Sequence, residues 1–240
     1  MNLAIDIGNT RTKVGVFDGR TLVEKQSFTT LDIPEFIRST PHQIHHVIVS
    51  SVRDQVDVSA LGVSGVAVQL EAWTAVPIQS RYQTPETLGK DRLAAVVGAH
   101  FLFPNDHACV IDAGTCITYD VVTADGVYIG GNISPGLDMR YRAMHQFTSR
   151  LPSVERNDLH DLFGTSTEEA LQNGGLIGVL MEIAGYVEVC REQFGTVVPV
   201  LTGGDAPYFA DRLKTEIFVR PNLVLIGLNE ILMMHVAESN

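Results

Sequence analysis

One short pattern occurs twice in this chain, each time near the start of a similarly arranged half. The run LAIDIGNT carries Asp6 into a turn at Gly8, and the run ACVIDAGT carries Asp112 into a turn at Gly114. A single Asp and Gly turn is common by chance, because both residues favour turns in any protein. Two copies, each placed between apolar strands, predict a duplicated fold.

The segments around the two copies predict alternating strands and helices. TKVGVFDG and TLVEKQSF continue a strand meander after the first copy, and a helix at IPEFIRS precedes the apolar runs HHVIVSSV and GVAVQL. After the second copy, TEEALQNGGLIGVLMEIAGYVEVC and LVLIGLNEILMMHV predict helices on either side of the strand VVPVLTGG. This order is typical of α/β proteins. We predict two lobes, residues 1–105 and 106–240, each with a mixed sheet, and a cleft between them.

An acid in a glycine turn suits phosphate and metal binding. Glycine allows a tight turn whose amides can point at phosphate oxygens. Aspartate can hold Mg²⁺ directly or through water, and Lys13, on the strand that leaves the first turn, could reach a phosphate as a point charge. The alternative for either turn alone is an ordinary hairpin. Neither GxxxxGK[ST] nor a GxGxxG after a strand occurs in the sequence.

The segment RYQTPETLGKDRLAAVVGAHFLF, residues 81–103, is the other place with candidate chemistry. A polar loop containing proline leads into a helix, and Asp91 lies in or next to its first turn. An acid there is favoured by the helix dipole alone. It could equally accept a proton from a substrate hydroxyl, as kinases require, and Arg92 could bind a carboxylate through two hydrogen bonds. Residue types leave both interpretations open.

A glycine-rich helix is predicted after GTSTEE, which has the pattern of a helix start. Each interior glycine costs about 1 kcal/mol relative to alanine, so their number indicates close approach of another backbone, within the lobe or across a dimer. TGG at 202–204 ends a strand and suits contact with a base or ribose. The helical glycines are Gly174, Gly175, Gly178 and Gly185.

Composition excludes several classes of protein. The formal net charge is −11 and no run of Lys or Arg occurs, so we expect no nucleic-acid partner. The N-terminus does not have the pattern of a signal peptide, and the most apolar run carries Glu182 and Glu188, which indicates a buried helix rather than a membrane span. The 3 cysteines form no CxxC. We expect reduced thiols in a cytoplasmic protein.

Together these motifs resemble the actin, Hsp70 and sugar-kinase superfamily and, within it, type III pantothenate kinases. DIGNTRTK resembles the first phosphate motif, GKDR the pantothenate motif and DAGT the second phosphate motif. GGNISPG, residues 130–136, resembles the glycine-rich segment behind that turn, and TGG resembles the adenosine motif. The resemblance implies a duplicated ribonuclease-H-like fold of the actin-like ATPase kind, with ATP bound between two lobes. It also implies a homodimer and ATP-dependent phosphorylation of the 4′-hydroxyl of pantothenate, the first step of coenzyme A synthesis.

The resemblance assigns roles to individual residues. Asp91 is expected to be the general base, Asp112 to hold a monovalent cation (K⁺ or NH₄⁺), and Asp6 to work with Mg²⁺, directly or through water. The pantothenate contacts expected are Tyr82, Gly89, Lys90, Asp91 and Arg92, together with Thr167 from across the dimer interface. The ATP contacts expected are Asp6, Ile7, Gly8, Asn9, Thr10, Arg11, Thr12, Lys13 and Thr115.

Three alternatives remain at this point. Another small-molecule kinase of the superfamily would keep both phosphate turns but not GxDR. A non-catalytic ATP-driven switch would keep the turns and need no base at Asp91. An unrelated α/β binding protein would leave the repeat as a coincidence.

Overall fold

The computed structural model describes residues 1–53, 56–158 and 161–239. Its first sheet has the strand order β3-β2-β1-β4-β5. Strands β1 to β3 form the predicted antiparallel meander, and β4 and β5 continue it in parallel on the other side of β1. The strands are β1 (Asn2–Ile7), β2 (Thr12–Asp18), β3 (Thr21–Phe28), β4 (His46–Ser51) and β5 (Ala67–Gln69).

Burial on both faces explains why the sequences of the central strands are almost entirely apolar. Strand β1 is buried along nearly its whole length because its neighbours and the helices cover both faces, whereas the edge strand β3 is largely exposed. Helix α1 (Ile33–Ser39) packs Phe36 into the core of this sheet. It begins at Asp32, whose side chain accepts a hydrogen bond from the amide of Glu35.

Two helices pack closely in the same part of the molecule. Helix α2 (Lys90–Leu102) is buried on nearly all sides, and α6 (Leu223–Glu238) lies against it. A Cβ placed on Gly227 would lie 1.7 Å from the carbonyl oxygen of Ala94, and one on Gly98 would lie 2.5 Å from that of Leu223. The two backbones therefore touch, and only glycine allows this separation.

The second sheet repeats the arrangement of the first. Its order is β11-β10-β7-β8-β9-β6. The consecutive strands β9, β8 and β7 are followed by β10, which pairs in parallel with β7, and by β11, which pairs in parallel with β10. The predicted duplicated α/β fold with mixed sheets is confirmed. The strands are β6 (Gln79–Ser80), β7 (His107–Ala113), β8 (Cys116–Val122), β9 (Val127–Pro135), β10 (Val197–Thr202) and β11 (Phe218–Val219), and the helices are α3 (Leu137–Gln146), α4 (Thr167–Phe194) and α5 (Ala206–Ala210).

The chain divides into two compact units whose ranges are not continuous in sequence. Unit 1 comprises residues 1–106, 122–130 and those from 222 onward, and unit 2 comprises residues 107–121 and 131–221. The first boundary lies next to the predicted one, but the last helix packs with the first unit. Whether residues 1–105 and 106–240 are separate domains stays a prediction.

Helix α4 is buried along one side and exposed along the other. Leu176, Val179 and Ile183 join the core of unit 2, while Met181 is 68% exposed. In the described part of the chain, α4 alone has the length and composition that a membrane-spanning helix needs, and 39% of its most apolar window is buried. The described cysteines are free thiols, and Cys109 and Cys190 are buried.

The helical glycines have different surroundings. A Cβ on Gly175 would lie 2.3 Å from the ring of Tyr141, so a side chain makes the close approach there. A Cβ on Gly174 or Gly185 would meet nothing within 4 Å in this chain. The expected close approach of another backbone is therefore not found at these positions within one chain.

Candidate functional site

The first glycine turn joins β1 to β2. Asp6 is buried near the end of β1, and Lys13 lies directly opposite it in the antiparallel register, so their side chains share one face of the sheet. The amide of Gly8 donates to the carbonyl of Arg11 at 3.1 Å. That amide is engaged within the turn, and a phosphate would have to meet other groups of the segment. Arg53, which lies outside the sequence motifs, donates to the carbonyl of Asn9.

The remaining residues of the first motif surround this turn. Ile7 is half-buried at the end of β1, and Asn9, Thr10 and Arg11 are exposed. Thr12 is buried at the start of β2. The predicted ATP segment therefore presents its turn to solvent while its flanking strands anchor it in the sheet.

The second glycine turn joins β7 to β8 in unit 2. Its glycine also bonds within the turn, because the Gly114 amide donates to the carbonyl of Cys116 at 3.0 Å, two residues along the chain, where Gly8 bonds to a carbonyl three residues along. The amide of Gly136, at the end of the GGNISPG segment, donates to the carbonyl of Thr115 at 3.1 Å. A Cβ on Gly136 would lie 2.1 Å from the carbonyl oxygen of Gly114. The segment therefore packs directly on the turn.

The TGG segment packs on the same turn from β10. Thr202 pairs with Asp112 in the parallel register of β10 and β7. Gly203 has φ +97°, and a Cβ there would lie 2.1 Å from the carbonyl oxygen of Ala113 and 2.5 Å from Oδ1 of Asp112. The amide of Asp205 donates to that carbonyl at 3.0 Å. Two of the predicted nucleotide motifs therefore meet at Asp112.

The GKDR segment forms the start of helix α2 in unit 1. Gly89 is the N-cap and Asp91 lies in the first turn, where its Oδ1 accepts a hydrogen bond from the amide of Arg92 at 2.8 Å. A Cβ on Gly89 would lie 2.6 Å from the same carboxylate oxygen. The carboxylate of Asp91 thus folds back over the helix start.

Aromatic rings support this segment. The ring of Tyr82 stacks on that of Tyr128 with a centroid separation of 6.0 Å and an interplanar angle of 4°. The guanidinium of Arg92 lies 5.6 Å from the centroid of Tyr82, and Arg92 is buried. Stacking between the guanidinium and the ring fixes the orientation of both side chains. Tyr82, Gly89, Lys90, Asp91 and Arg92 are therefore brought together in one unit.

Lys90 has a partner that lies outside the sequence motifs. Its Nζ lies 2.9 Å from Oε2 of Glu71, and both side chains are partly exposed. A cavity of about 360 Å³, mostly apolar, lies beside Lys90 and Tyr82. Its other lining residues include Trp73, Val76, Ile78, Pro85 and Leu88.

Thr167 belongs to unit 2 and begins helix α4. Ser166 caps this helix by accepting a hydrogen bond from the amide of Glu169 at 3.2 Å, and the Glu169 carboxylate accepts one from the amide of Thr165 at 2.7 Å. Thr167 itself is exposed. The start of α4 is thus fixed by its capping residues, and Thr167 faces solvent in the single chain.

A family model described as "Type III pantothenate kinase" matches residues 2–189. A type III pantothenate kinase from Cytophaga hutchinsonii is 40% identical over 237 residues, which cover 98% of this chain and 100% of that protein. One from Bacteroides fragilis strain YCH46 is 44% identical over 237 residues and 97% of both chains.

The chain belongs to the type III pantothenate kinase family.

Solved structures of other proteins show which fold the chain has. A Baf family protein from Campylobacter jejuni has a TM-score of 0.64 at 22% identity and is covered over 98% of its chain, against 97% of this one. A ROK hexokinase from Thermus thermophilus has a TM-score of 0.56 at 15% identity and is covered over 99%, against 98% of this chain. The predicted fold of the sugar-kinase and actin-like ATPase class is therefore confirmed.

Kinases of this family use ATP with a divalent metal, and the residues present fit that requirement. In the described ranges no three His, Cys, Asp or Glu side chains are grouped to hold a metal ion. Mg²⁺ is usually held by one or two carboxylates together with substrate phosphates and water, so a buried aspartate at the end of a strand is a suitable donor. Asp6 has this placement, and Asp112 is partly buried near the end of β7.

Proposed function

We propose that this member of the family transfers the γ-phosphoryl group of ATP to the 4′-hydroxyl of pantothenate, the first step of coenzyme A synthesis. The observation that carries the proposal is the arrangement at the start of α2. Asp91 lies there with Arg92 and the stacked Tyr82, beside a mostly apolar cavity. A carboxylate, a guanidinium and an apolar wall match a substrate with a hydroxyl, a carboxylate and a branched alkyl body. The family name of the relatives supports the same substrate.

In this proposal Asp91 is the general base. Its carboxylate would accept the proton of the 4′-hydroxyl as the oxygen attacks phosphorus, and would orient that oxygen beforehand. Arg92 would bind the carboxylate of pantothenate, and the ring of Tyr82 would contact its alkyl part. Gly89 would leave room for the Asp91 carboxylate, and Lys90 would contact the substrate while paired with Glu71.

The ATP side of the proposal uses the two glycine turns. The segment from Asp6 to Lys13 would bind phosphate oxygens through its hydroxyl, amide and ammonium groups, and Thr115 would contact ATP from the second turn. Asp6 would hold Mg²⁺ directly or through water, and Mg²⁺ would neutralise charge on the phosphates. Asp112 would hold K⁺ or NH₄⁺, because its carboxylate lies beside the carbonyl of Ala113 in a space that a Cβ on Gly203 would fill.

The function is tested by ADP release with pantothenate, compared with a panel of sugars and acetate. We expect ADP release with pantothenate, and we expect Asp91→Asn to lose most turnover while ATP still binds. A signal with a sugar and none with pantothenate would identify another small-molecule kinase. ATP binding without any acceptor-dependent turnover would identify a switch of the same superfamily. Near-normal turnover of Asp91→Asn would remove Asp91 as the base.

A homodimer is the second part of the proposal. Gly174, Met181, Gly185 and Val189 are exposed and lie along one side of α4, since they are spaced by seven, four and four residues. Met181 and Val189 expose apolar side chains, and a Cβ on Gly174 or Gly185 would meet nothing within 4 Å in this chain, so this side of α4 suits packing against a second copy. Thr167, at the start of the same helix, would then contact pantothenate bound to the partner.

Location in the cytoplasm stays a prediction.

Mixing two inactive variants tests the shared site. A dimer of one Asp91→Asn chain and one Thr167→Ala chain contains one site with both native residues if Thr167 acts across the interface. We therefore expect activity to rise well above the mean of the separate variants after subunit exchange. If Thr167 acts within its own chain, mixing leaves the activity at that mean. Sedimentation at several protein concentrations reports the oligomeric state directly.

A further inference from the structure

Arg156 makes four hydrogen bonds to two aspartates of unit 2. Its Nε and one terminal nitrogen donate to the carboxylate of Asp138 at 2.6 and 2.9 Å. Its terminal nitrogens also donate to the carboxylate of Asp205 at 2.7 and 2.9 Å. The side chain of Arg156 is 27% exposed and that of Asp205 is 17% exposed, so solvent screens this contact less than an ordinary surface pair. A planar guanidinium that binds two carboxylates in this way fixes their relative position.

The two aspartates lie next to the two segments that pack on the second glycine turn. Asp138 is in the first turn of α3 and follows Gly136, whose amide bonds to Thr115, by two residues. Asp205 directly follows the TGG segment, and its own amide bonds to Ala113. Arg156 therefore connects the segment on one side of the turn to the segment on the other.

Arg156 is itself held in place. Its guanidinium carbon lies 5.5 Å from the centroid of the Tyr208 ring, and the hydroxyl of Tyr208 donates to the carbonyl of Asn157 at 2.9 Å. The ring thus supports the guanidinium and anchors the backbone beside it. A side chain with this support loses little further freedom when a ligand binds near it.

We propose that Arg156 is a positioning residue for nucleotide binding, because it clamps the segments at Asp138 and Asp205 against the turn of residues 112–115. The inference rests on the proposed binding of ATP at that turn. Arg156 acts in two ways. It holds Gly136 and Gly203 against the turn, and its positive charge offsets part of the negative charge of two carboxylates that would otherwise repel the phosphates of the nucleotide more strongly.

Nucleotide binding and steady-state kinetics of Arg156→Ala and Arg156→Lys test the inference. For Arg156→Ala we expect the dissociation constant of ADP and the KM of ATP to rise at least tenfold. The KM of pantothenate at saturating ATP should change less than twofold. Arg156→Lys keeps the charge but cannot form the fork of bonds, so its effect should be intermediate. A general loss of folding would instead affect both substrates together.

Arg212→Ala is the matched control. Arg212 lies over the same Tyr208 ring at 3.9 Å, but it donates to the carbonyl of Tyr208 and pairs with the exposed Asp158 instead of Asp138 and Asp205. We expect wild-type ADP affinity for this variant. The inference would be overturned if Arg212→Ala and Arg156→Ala lost ADP affinity equally. It would also be overturned if Arg156→Ala bound ADP as tightly as the wild type.

A double variant tests the route through Asp138. If Asp138 acts only through Arg156, then Asp138→Asn combined with Arg156→Ala binds ADP no more weakly than Arg156→Ala alone. If the two substitutions instead reduced ADP affinity by factors that multiply in the double variant, this route would be contradicted. Wild-type protein that binds ADP without phosphorylating pantothenate would refute the proposed function while leaving this comparison of ADP affinities intact.

Discussion

The carboxylate of Asp91 lies against Gly89, so that a Cβ at residue 89 would stand 2.6 Å from Oδ1 of Asp91. Gly89 has φ −57°, a conformation open to any residue, so backbone strain does not require glycine there. The requirement is the space that the carboxylate occupies. The glycine of the GxDR pattern therefore has a steric explanation that connects it to the proposed base.

Gly89→Ser separates this explanation from helix capping. Serine is a better N-cap than glycine, so capping alone predicts an equal or slightly higher stability. The added side chain must displace the Asp91 carboxylate, and a misplacement of about 1 Å can cost about 100-fold in rate. We expect an unchanged melting temperature, unchanged ADP binding and a turnover number lower by about that factor. Wild-type turnover in this variant would show that the contact has no role in catalysis.

The sequence allowed the duplicated fold to be predicted because the repeat is local. Strand β1, the turn and β2 follow one another in the chain, and so do β7, the turn and β8. The apolar runs of β4 and β10 were equally clear, since buried parallel strands need apolar residues on both faces. The return of α6 to the first unit was not predicted. It depends on the contact of Gly98 with Gly227, which are far apart in sequence.

The same difference applies to the candidate site. GKDR was predicted as a unit because its residues are adjacent, and the structure keeps them together at the start of α2. Glu71, the partner of Lys90, lies in a stretch without a motif, and Arg156 lies in a loop that resembles any polar loop. Both act through tertiary contacts, so only the folded chain brings them to their partners. Their charge was visible in the sequence, but their partners were not.

The proposed monovalent cation at Asp112 leads to a prediction for the TGG segment. Gly203 has φ +97° and lies against Asp112 and Ala113. Alanine there must strain the backbone, at a cost of order 1–3 kcal/mol, and move the turn. A loss of about 1.4 kcal/mol in binding free energy weakens binding tenfold. We therefore expect Gly203→Ala to raise the K⁺ concentration needed for half-maximal activity about tenfold or more. Activity titrated with KCl at constant ionic strength measures this.

Gly204→Ala is the control for that prediction. A Cβ on Gly204 would meet nothing within 4 Å, so the K⁺ titration of this variant should match that of the wild type. Equal rates of the wild type in Na⁺ alone and in K⁺ would count against a cation at Asp112. In that case Gly203→Ala would affect the KM of ATP only.

The partly buried carboxylate of Glu182 should make the stability of unit 2 sensitive to acid. Burial acts to raise the pKa of Glu182, but hydrogen bonds from Arg140, Ser134 and Tyr119 outweigh it and hold that pKa below its usual range. A pKa lowered on folding stabilises the protein above the unfolded-state pKa, and this stabilisation is lost as pH falls through the folded-state value. We expect the denaturation midpoint of the wild type to fall more steeply below about pH 4.5 than that of Glu182→Gln. Parallel pH profiles for the two proteins would contradict this assignment.

The contact between α2 and α6 predicts a large and local effect on stability. Alanine at Gly227 would place its Cβ 1.7 Å from the carbonyl oxygen of Ala94, and backbone cannot move aside as a flexible side chain can. Overpacking of this kind costs about 1–3 kcal/mol and sometimes more, which exceeds the gain of about 1 kcal/mol from replacing a helical glycine. We expect Gly227→Ala to lower the free energy of unfolding in denaturant titrations. Gly178→Ala is the control, because its Cβ would meet only the end of Arg140, at 3.6 Å, and should leave stability equal or higher. If Gly227→Ala were as stable as Gly178→Ala, the two helices could not be as close as the structure places them.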